Sequence, residues 1–129
     1  MTKPLSHPTQ SSILTPTITI DPTYNLLRIH KSTLTLLNHP NHIQLLINPQ
    51  ERTLALCDTD SNNPLGLKIN YKKINDGKCC EMYSTPFIEK LLTIYTQIPT
   101  KRFRLKGNYI KAQNIVLFHL EDYTHYEKE

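Results

Sequence analysis

Thr17-Ile18-Thr19-Ile20-Asp21-Pro22-Thr23-Tyr24-Asn25-Leu26-Leu27-Arg28-Ile29-His30 carries the reading of this chain. Thr and Ile alternate over Thr17–Ile20, the period-two signature of a strand with one buried face. Asp21-Pro22-Thr23-Tyr24-Asn25 is turn chemistry: Pro presets φ, Asp caps locally, and Asn tolerates the left-handed region. Leu26–His30 then returns as a second strand. Downstream, Ser32 is placed to cap a short helix through Leu37. Asn38 suits the left-handed position after the helix, and Pro40 blocks continuation. Ile43–Asn48 and Thr53–Asp58, separated by Pro49-Gln50-Glu51-Arg52, form a second hairpin. Residues 17–58 thus read as a ββαββ unit.

The same order returns after the turn-rich linker 59–66. Leu67, Ile69 and Tyr71 alternate with Lys68, Asn70 and Lys72 as a strand, Asn75-Asp76-Gly77 supplies a hairpin turn, and Cys79–Tyr83 pairs back. Thr85-Pro86 starts a helix. Its apolar face runs through Phe87, Ile88, Leu91, Leu92, Tyr95 and Ile98 and ends at Pro99. Arg102–Lys106 and Ile115–Leu120 close as a last hairpin around Gly107-Asn108. The expectation is a mainly β (α+β) domain over 17–120. It comprises two ββαββ units, 17–58 and 67–120, forming a single-chain pseudo-dimeric barrel. A Pro-rich arm, 1–16, precedes it, and an acidic tail, 121–129, follows.

Residues 17–58 resemble the swapped-hairpin DNA-binding domain of the AbrB/MazE/SpoVT family. The likeness rests on Thr17–Asp21, Leu26–His30, Leu34-Thr35-Leu36-Leu37-Asn38, Ile43–Asn48 and Leu54-Ala55-Leu56. In that family two chains interleave hairpins into one small barrel, so the resemblance implies a DNA-binding regulator with both copies in one chain. The chain departs from the family in having Asn25, His30 and Asn38 where Gly, Pro and Gly are usual. It also has uncharged Leu34 and Thr35 where the family's helix carries DNA-touching cations.

The chain has 129 residues, the size of one domain, 15 Lys and Arg against 11 Asp and Glu, and three cysteines. The odd count and the adjacent Cys79-Cys80 argue against a disulfide framework. No apolar run approaches the roughly 20 residues that span a bilayer. The first residues lack the apolar stretch of a secretory signal. A cytoplasmic protein is expected.

Charge is segregated. Lys101, Arg102, Arg104, Lys106 and Lys111 crowd one stretch without an acid, and acids gather at Glu121, Asp122, Glu127 and Glu129. Alternation puts Arg102, Arg104 and Lys106 on one strand face, about 6.5–7 Å apart. That spacing matches successive phosphates, and such a row grips a nucleic-acid backbone without reading sequence. Tyr109 and Lys111 are expected to add a stacking or phosphate contact, and Lys72 and Lys73 to extend the basic surface. A solvated outer face protecting an edge strand accounts for the same cations.

His39-x-x-His42 has ligand spacing, but no second close pair answers it, so no metal is expected. Three glycines cannot build a phosphate loop and no nucleophile sits in an elbow motif, so neither cofactor nor enzymatic activity is expected. Three functions stay open. The first is nucleic-acid binding of the AbrB-like regulatory type. The second is a small phage-type anti-defence inhibitor, anti-CRISPR-like, whose basic strip meets an acidic or nucleic-acid-binding host protein. The third is an antitoxin. A homodimer through an open edge strand is compatible with any of them.

Overall fold

The computed structural model describes residues 14–75 and 79–125, and the strands and helices fall in this order: β1 (Thr17–Asp21), β2 (Leu26–Ile29), α1 (Lys31–Leu36), β3 (His42–Asn48), β4 (Thr53–Thr59), β5 (Leu67–Lys68), α2 (Tyr71–Asn75), β6 (Cys80–Tyr83), α3 (Thr85–Ile94), β7 (Phe103–Lys106), β8 (Asn108–Ile110), β9 (Ile115–His119), and β10 (Thr124–His125) after one 3₁₀ turn. They build two antiparallel five-stranded sheets. Sheet 1 runs β10-β7-β1-β2-β6 and sheet 2 runs β5-β3-β4-β9-β8. The fold is mainly β.

The first half forms as its local chemistry directs. Asp21 Oδ1 accepts the Thr23 N–H at 3.1 Å, and Asn25 takes φ 52°, closing the β1–β2 turn. Asn38 takes φ 67° after α1, where the His39 N–H donates to the Leu34 carbonyl at 2.9 Å. Both Asn serve where glycine is the easier residue. Asn48 Oδ1 accepts the N–H groups of Gln50 and Glu51, both at 3.1 Å, and folds the β3–β4 turn. Helix α1 begins two residues earlier than the capping argument placed it. His30 is its N-cap, and the Ser32 hydroxyl donates instead to the Thr15 carbonyl at 2.9 Å.

A buried hydroxyl ties α1 to the sheet. Thr33 Oγ1 accepts the Thr17 N–H at 2.8 Å and donates to the Thr17 carbonyl at 2.9 Å. That single side chain bonds both backbone groups of the first β1 residue, whose carbonyl also accepts the His30 N–H at 3.2 Å.

Two expectations for the second half are corrected. The expected hairpin over 67–83 does not form: β5 is two residues long and pairs with β3, while β6 pairs with β2 in the other sheet. Residues 71–75 turn helical instead. Asn70 Oδ1 accepts the Lys73 N–H at 3.4 Å, the Tyr71 hydroxyl donates to the Pro40 carbonyl, and Ile69 and Ile74 are buried. A capping Asn and two burial anchors outweigh a short period-two pattern. The expected turn residues Asp76 and Gly77 lie outside the described residues.

The expected hairpin of Arg102–Lys106 with Ile115–Leu120 is likewise replaced. β7 pairs with β1, and β9 pairs with β4 and β8. The chain crosses between sheets at Gly107, so tightly that a Cβ there would lie 2.7 Å from the Leu117 carbonyl oxygen and the Phe118 ring. The Gly107 N–H donates to the Pro16 carbonyl at 2.8 Å. The true last hairpin is β8–β9, turning through Lys111–Asn114 with Asn114 at φ 53°. Residues 124 and 125, expected in a tail, extend sheet 1 beside β7.

No barrel closes: among the described residues no ladder joins the two sheets, whose edge strands are only two to four residues long. Between the sheets lies one core. Ile18, Ile20, Leu27, Ile29, Phe103 and Leu105 come from sheet 1; Ile43, Leu54, Leu56, Val116 and Phe118 come from sheet 2; Leu34 of α1 and Ile88 and Leu91 of α3 complete it.

Candidate nucleic-acid interface

The inward half of each strand makes the core, so alternation delivers the other half to the outer face. On β7, Phe103 and Leu105 are fully buried, leaving Arg104 and Lys106, with Arg102 just before the strand, on the outside of sheet 1. The cross-strand register then sets their neighbours. Lys106 lies opposite Thr17, and Arg104 lies opposite Thr19 on one side and Thr124 on the other. Thr19 lies opposite Arg28, and Arg28 opposite Glu81. One row across the sheet therefore reads Thr124, Arg104, Thr19, Arg28, Glu81. Arg104 and Arg28 stand two strands apart, about 10 Å.

The cations differ in what holds them. Arg102 donates through Nε to Asp21 Oδ2 at 3.0 Å, and its second nitrogen lies 3.0 Å from the same oxygen. The Asp21 side chain is only 5% exposed, so this is a largely desolvated charge pair. Arg28 grips Glu81 Oε2 at 2.9 Å and 2.7 Å through two nitrogens at a wetter position. Arg104 is half-buried, while Lys106 and Lys101 are exposed. Beside the row, Thr19 Oγ1 and His30 Nε2 share a hydrogen bond of 2.9 Å. Burial, then the neighbouring Arg104 and Arg28 charges, hold the His30 pKa below its ordinary value.

The remaining expected site residues are dispersed. Tyr109, half-buried, packs its ring against the core on sheet 2, and its hydroxyl donates to Asn114 Oδ1 at 2.8 Å. Lys111 is exposed at the β8–β9 turn of sheet 2. Lys72 and Lys73 are exposed on α2, which packs beside β6, at the opposite edge of sheet 1 from β7 and β10. Arg28, Asp21 and Glu81 complete the charged face without having been singled out in the sequence. Arg28 carries the same outward-cation signal as Arg104, set between buried Leu27 and Ile29.

An open cleft of about 430 Å³ contains His39, His42, Asp58 and Asp60. Among the described residues, no three His, Cys, Asp or Glu side chains converge to hold a metal ion. Burial first, then Cys79 and Glu81, push the Cys80 thiol up to about 11, and burial also raises Cys57. These thiols stay protonated near neutral pH. No described helix is long and apolar enough to cross a membrane.

No protein-family model, no curated protein and no solved structure matches this chain.

Proposed function

We propose that this protein binds nucleic acid without catalysing a reaction, gripping phosphates through the outer face of sheet 1 in the manner of an AbrB-like transcription regulator of the cytoplasm. The carrying observation is that Arg28, Arg102, Arg104 and Lys106 share one sheet face, against two carboxylates among the described residues, Asp21 and Glu81. Lys101 and Lys106 are the exposed grips, and Arg104 and Arg28 are the positioned ones. A contact of this kind binds through counterion release, with non-specific dissociation constants of about 10⁻⁴–10⁻⁶ M at physiological salt. The swapped-hairpin reading belongs to the same proposal. Its support is that the β1–β2 hairpin of the first unit lies between β6 and β7 of the second.

Fluorescence anisotropy with labelled duplex and single-stranded oligonucleotides, from about 50 to 200 mM salt, tests this. The expected result is binding that weakens steeply with salt, and Lys101→Glu with Lys106→Glu reducing affinity at least about tenfold and flattening the salt slope. Absence of binding at about 50 mM salt, or affinity indifferent to both salt and the charge reversals, overturns it.

A second reading, an anti-defence inhibitor that meets an acidic protein, is favoured by the pairing of Arg28 with Glu81 and Arg102 with Asp21. Those pairs give the face a mixed-charge character that suits a protein partner better than a uniform polyanion. One stoichiometric partner recovered from nuclease-treated lysate, and lost with the same charge reversals, selects this reading.

A further inference from the structure

The outside of sheet 2 is built from different material. Its inward positions, Ile43, Leu45, Ile47, Leu54, Leu56, Val116 and Phe118, belong to the core or pack on it. The outward positions of β3, β4, β9 and β8 include no Lys, Arg, Asp or Glu. Instead, two cross-strand rows hold apolar side chains: Cys57, Ile115 and Ile110 in one, Leu46, Ala55 and Leu117 in the other. None of the six belongs to the core cluster or packs against it, and Leu46 is 47% exposed. Gln44, Asn48, Thr53 and Asn108 rim the patch, with His119 beyond Thr53 at one end and His42 and Lys68 at the other. A continuous apolar patch with a polar border marks a protein contact.

We infer that a second copy of this chain docks on this face, stacking sheet 2 on sheet 2. Three observations select that occupant. The centre of the face carries no ionic group, Lys68 of β5 and the histidines His42 and His119 standing only at its margins, so it offers an acidic or basic partner little to pair with, whereas a second copy meets an equally neutral centre. The cations of sheet 1 are turned away. With layers about 10 Å apart, the two basic faces of such a dimer stand about 30 Å from each other, beyond the screening length of about 8 Å at physiological salt. The relief is also self-complementary. About a two-fold axis running between β4 and β9, the small Ala55 and Cys57 of one copy meet the large Leu117 and Ile115 of the other, as facing layers of a sheet sandwich interdigitate.

Size sets the strength. Four strands and about five residues give a flat footprint of about 300 Å² per copy, below the roughly 800 Å² per partner of a standard interface. The association is therefore weak, with a dissociation constant on the order of 100 μM. It holds whether or not sheet 1 binds nucleic acid, because it uses the opposite face.

Sedimentation equilibrium of the full chain from about 10 μM to 1 mM, bracketing that constant, tests the dimer. The expected result is a reversible monomer–dimer equilibrium. Leu46→Asp and, separately, Leu117→Asp should each raise the dissociation constant at least about tenfold by burying an unpaired charge, while Tyr83→Ser, at an exposed position on sheet 1, leaves it unchanged. Maleimide labelling of Cys57, read by peptide mass, should slow as concentration rises through the dimer range. Far-UV circular dichroism checks that each variant is folded, and Leu46, being half-exposed, tolerates the change best. A monomer at every concentration, or a dimer unmoved by Leu46→Asp, overturns the inference.

Discussion

Sheet 1 and sheet 2 contain five strands each and bury one fully enclosed phenylalanine each, Phe103 and Phe118, yet their outer faces have opposite chemistry. Among the described residues, sheet 1 turns out arginine, lysine and two carboxylates, while the centre of sheet 2 turns out leucine, isoleucine, alanine and cysteine. The inner faces are interchangeable in kind because both answer to one requirement, filling a shared core. The outer faces are under no such constraint, so each is free to specialise. The contrast teaches that in a two-layer β protein the information about partners lies in the odd half of each strand's alternation.

The largest effects should come from the half that does not differ. Phe103→Ala and Phe118→Ala are each expected to cost about 3–5 kcal/mol in urea unfolding. Both should leave a single cooperative transition, because both rings sit in one core. Two transitions, or a trivial loss for one variant, would break the symmetry and mean that the sheets are separately stable.

A smaller effect sharpens the contrast within sheet 1. Asp21→Asn removes the carboxylate from a pair whose acid is almost wholly desolvated and leaves Arg102 partly buried without it. The expected loss is about 2 kcal/mol, discounted from the 3–5 of fully buried pairs because Arg102 keeps some contact with water. Glu81→Gln, at a wetter pair on the same face, should cost at most about 1 kcal/mol. Equal losses would mean that burial does not distinguish the two pairs.

The smallest effect is a pH dependence confined to sheet 1. His30 has a folded-state pKa lowered by burial and by Arg104 and Arg28. The unfolded chain therefore binds a proton more readily than the folded one, and stability falls as pH drops below about 6.5, the unfolded value, toward the lower folded value. Thermal melts from pH 8 to pH 5 should show this decline, and His30→Gln should make it shallower. An unchanged slope in the variant would assign the decline to other groups.

Legibility in the sequence followed the distance over which chemistry acts. The β1–β2 and β3–β4 hairpins close over short turns whose Asp21, Asn25 and Asn48 announce themselves, and α3 declares its face through Ile88 and Leu91, although the helix stops at Ile94, before the Tyr95 and Ile98 that the periodicity also included. Capping at Ser84, which accepts the Phe87 N–H at 3.3 Å, is local as well. The failures are nonlocal. Six residues of alternation at 67–72 fit a strand, and only the docking of Tyr71 on Pro40 and the burial of Ile74 make the helix. Gly107-Asn108 has turn composition, but it marks a passage between sheets. The outward row on β7 followed from period two alone. Its neighbours did not, because Asp21 reaches Arg102 across 81 residues of chain and only the register places Arg28 two strands from Arg104.

The interleaving of halves in sheet 1 also has a consequence for synthesis. Strands β1 and β2 are made early, but their flanking partners β6 and β7 end only at residues 83 and 106. At a ribosomal rate of about 5–20 residues per second, β1 therefore waits some 4–15 s for β7 after the first hairpin emerges. Until β6 is made the nascent hairpin carries two unpaired rims, and from then until β7 is made it still carries one. It is then a template for stray strands, and a chaperone holding the newborn chain would have its most pressing task there.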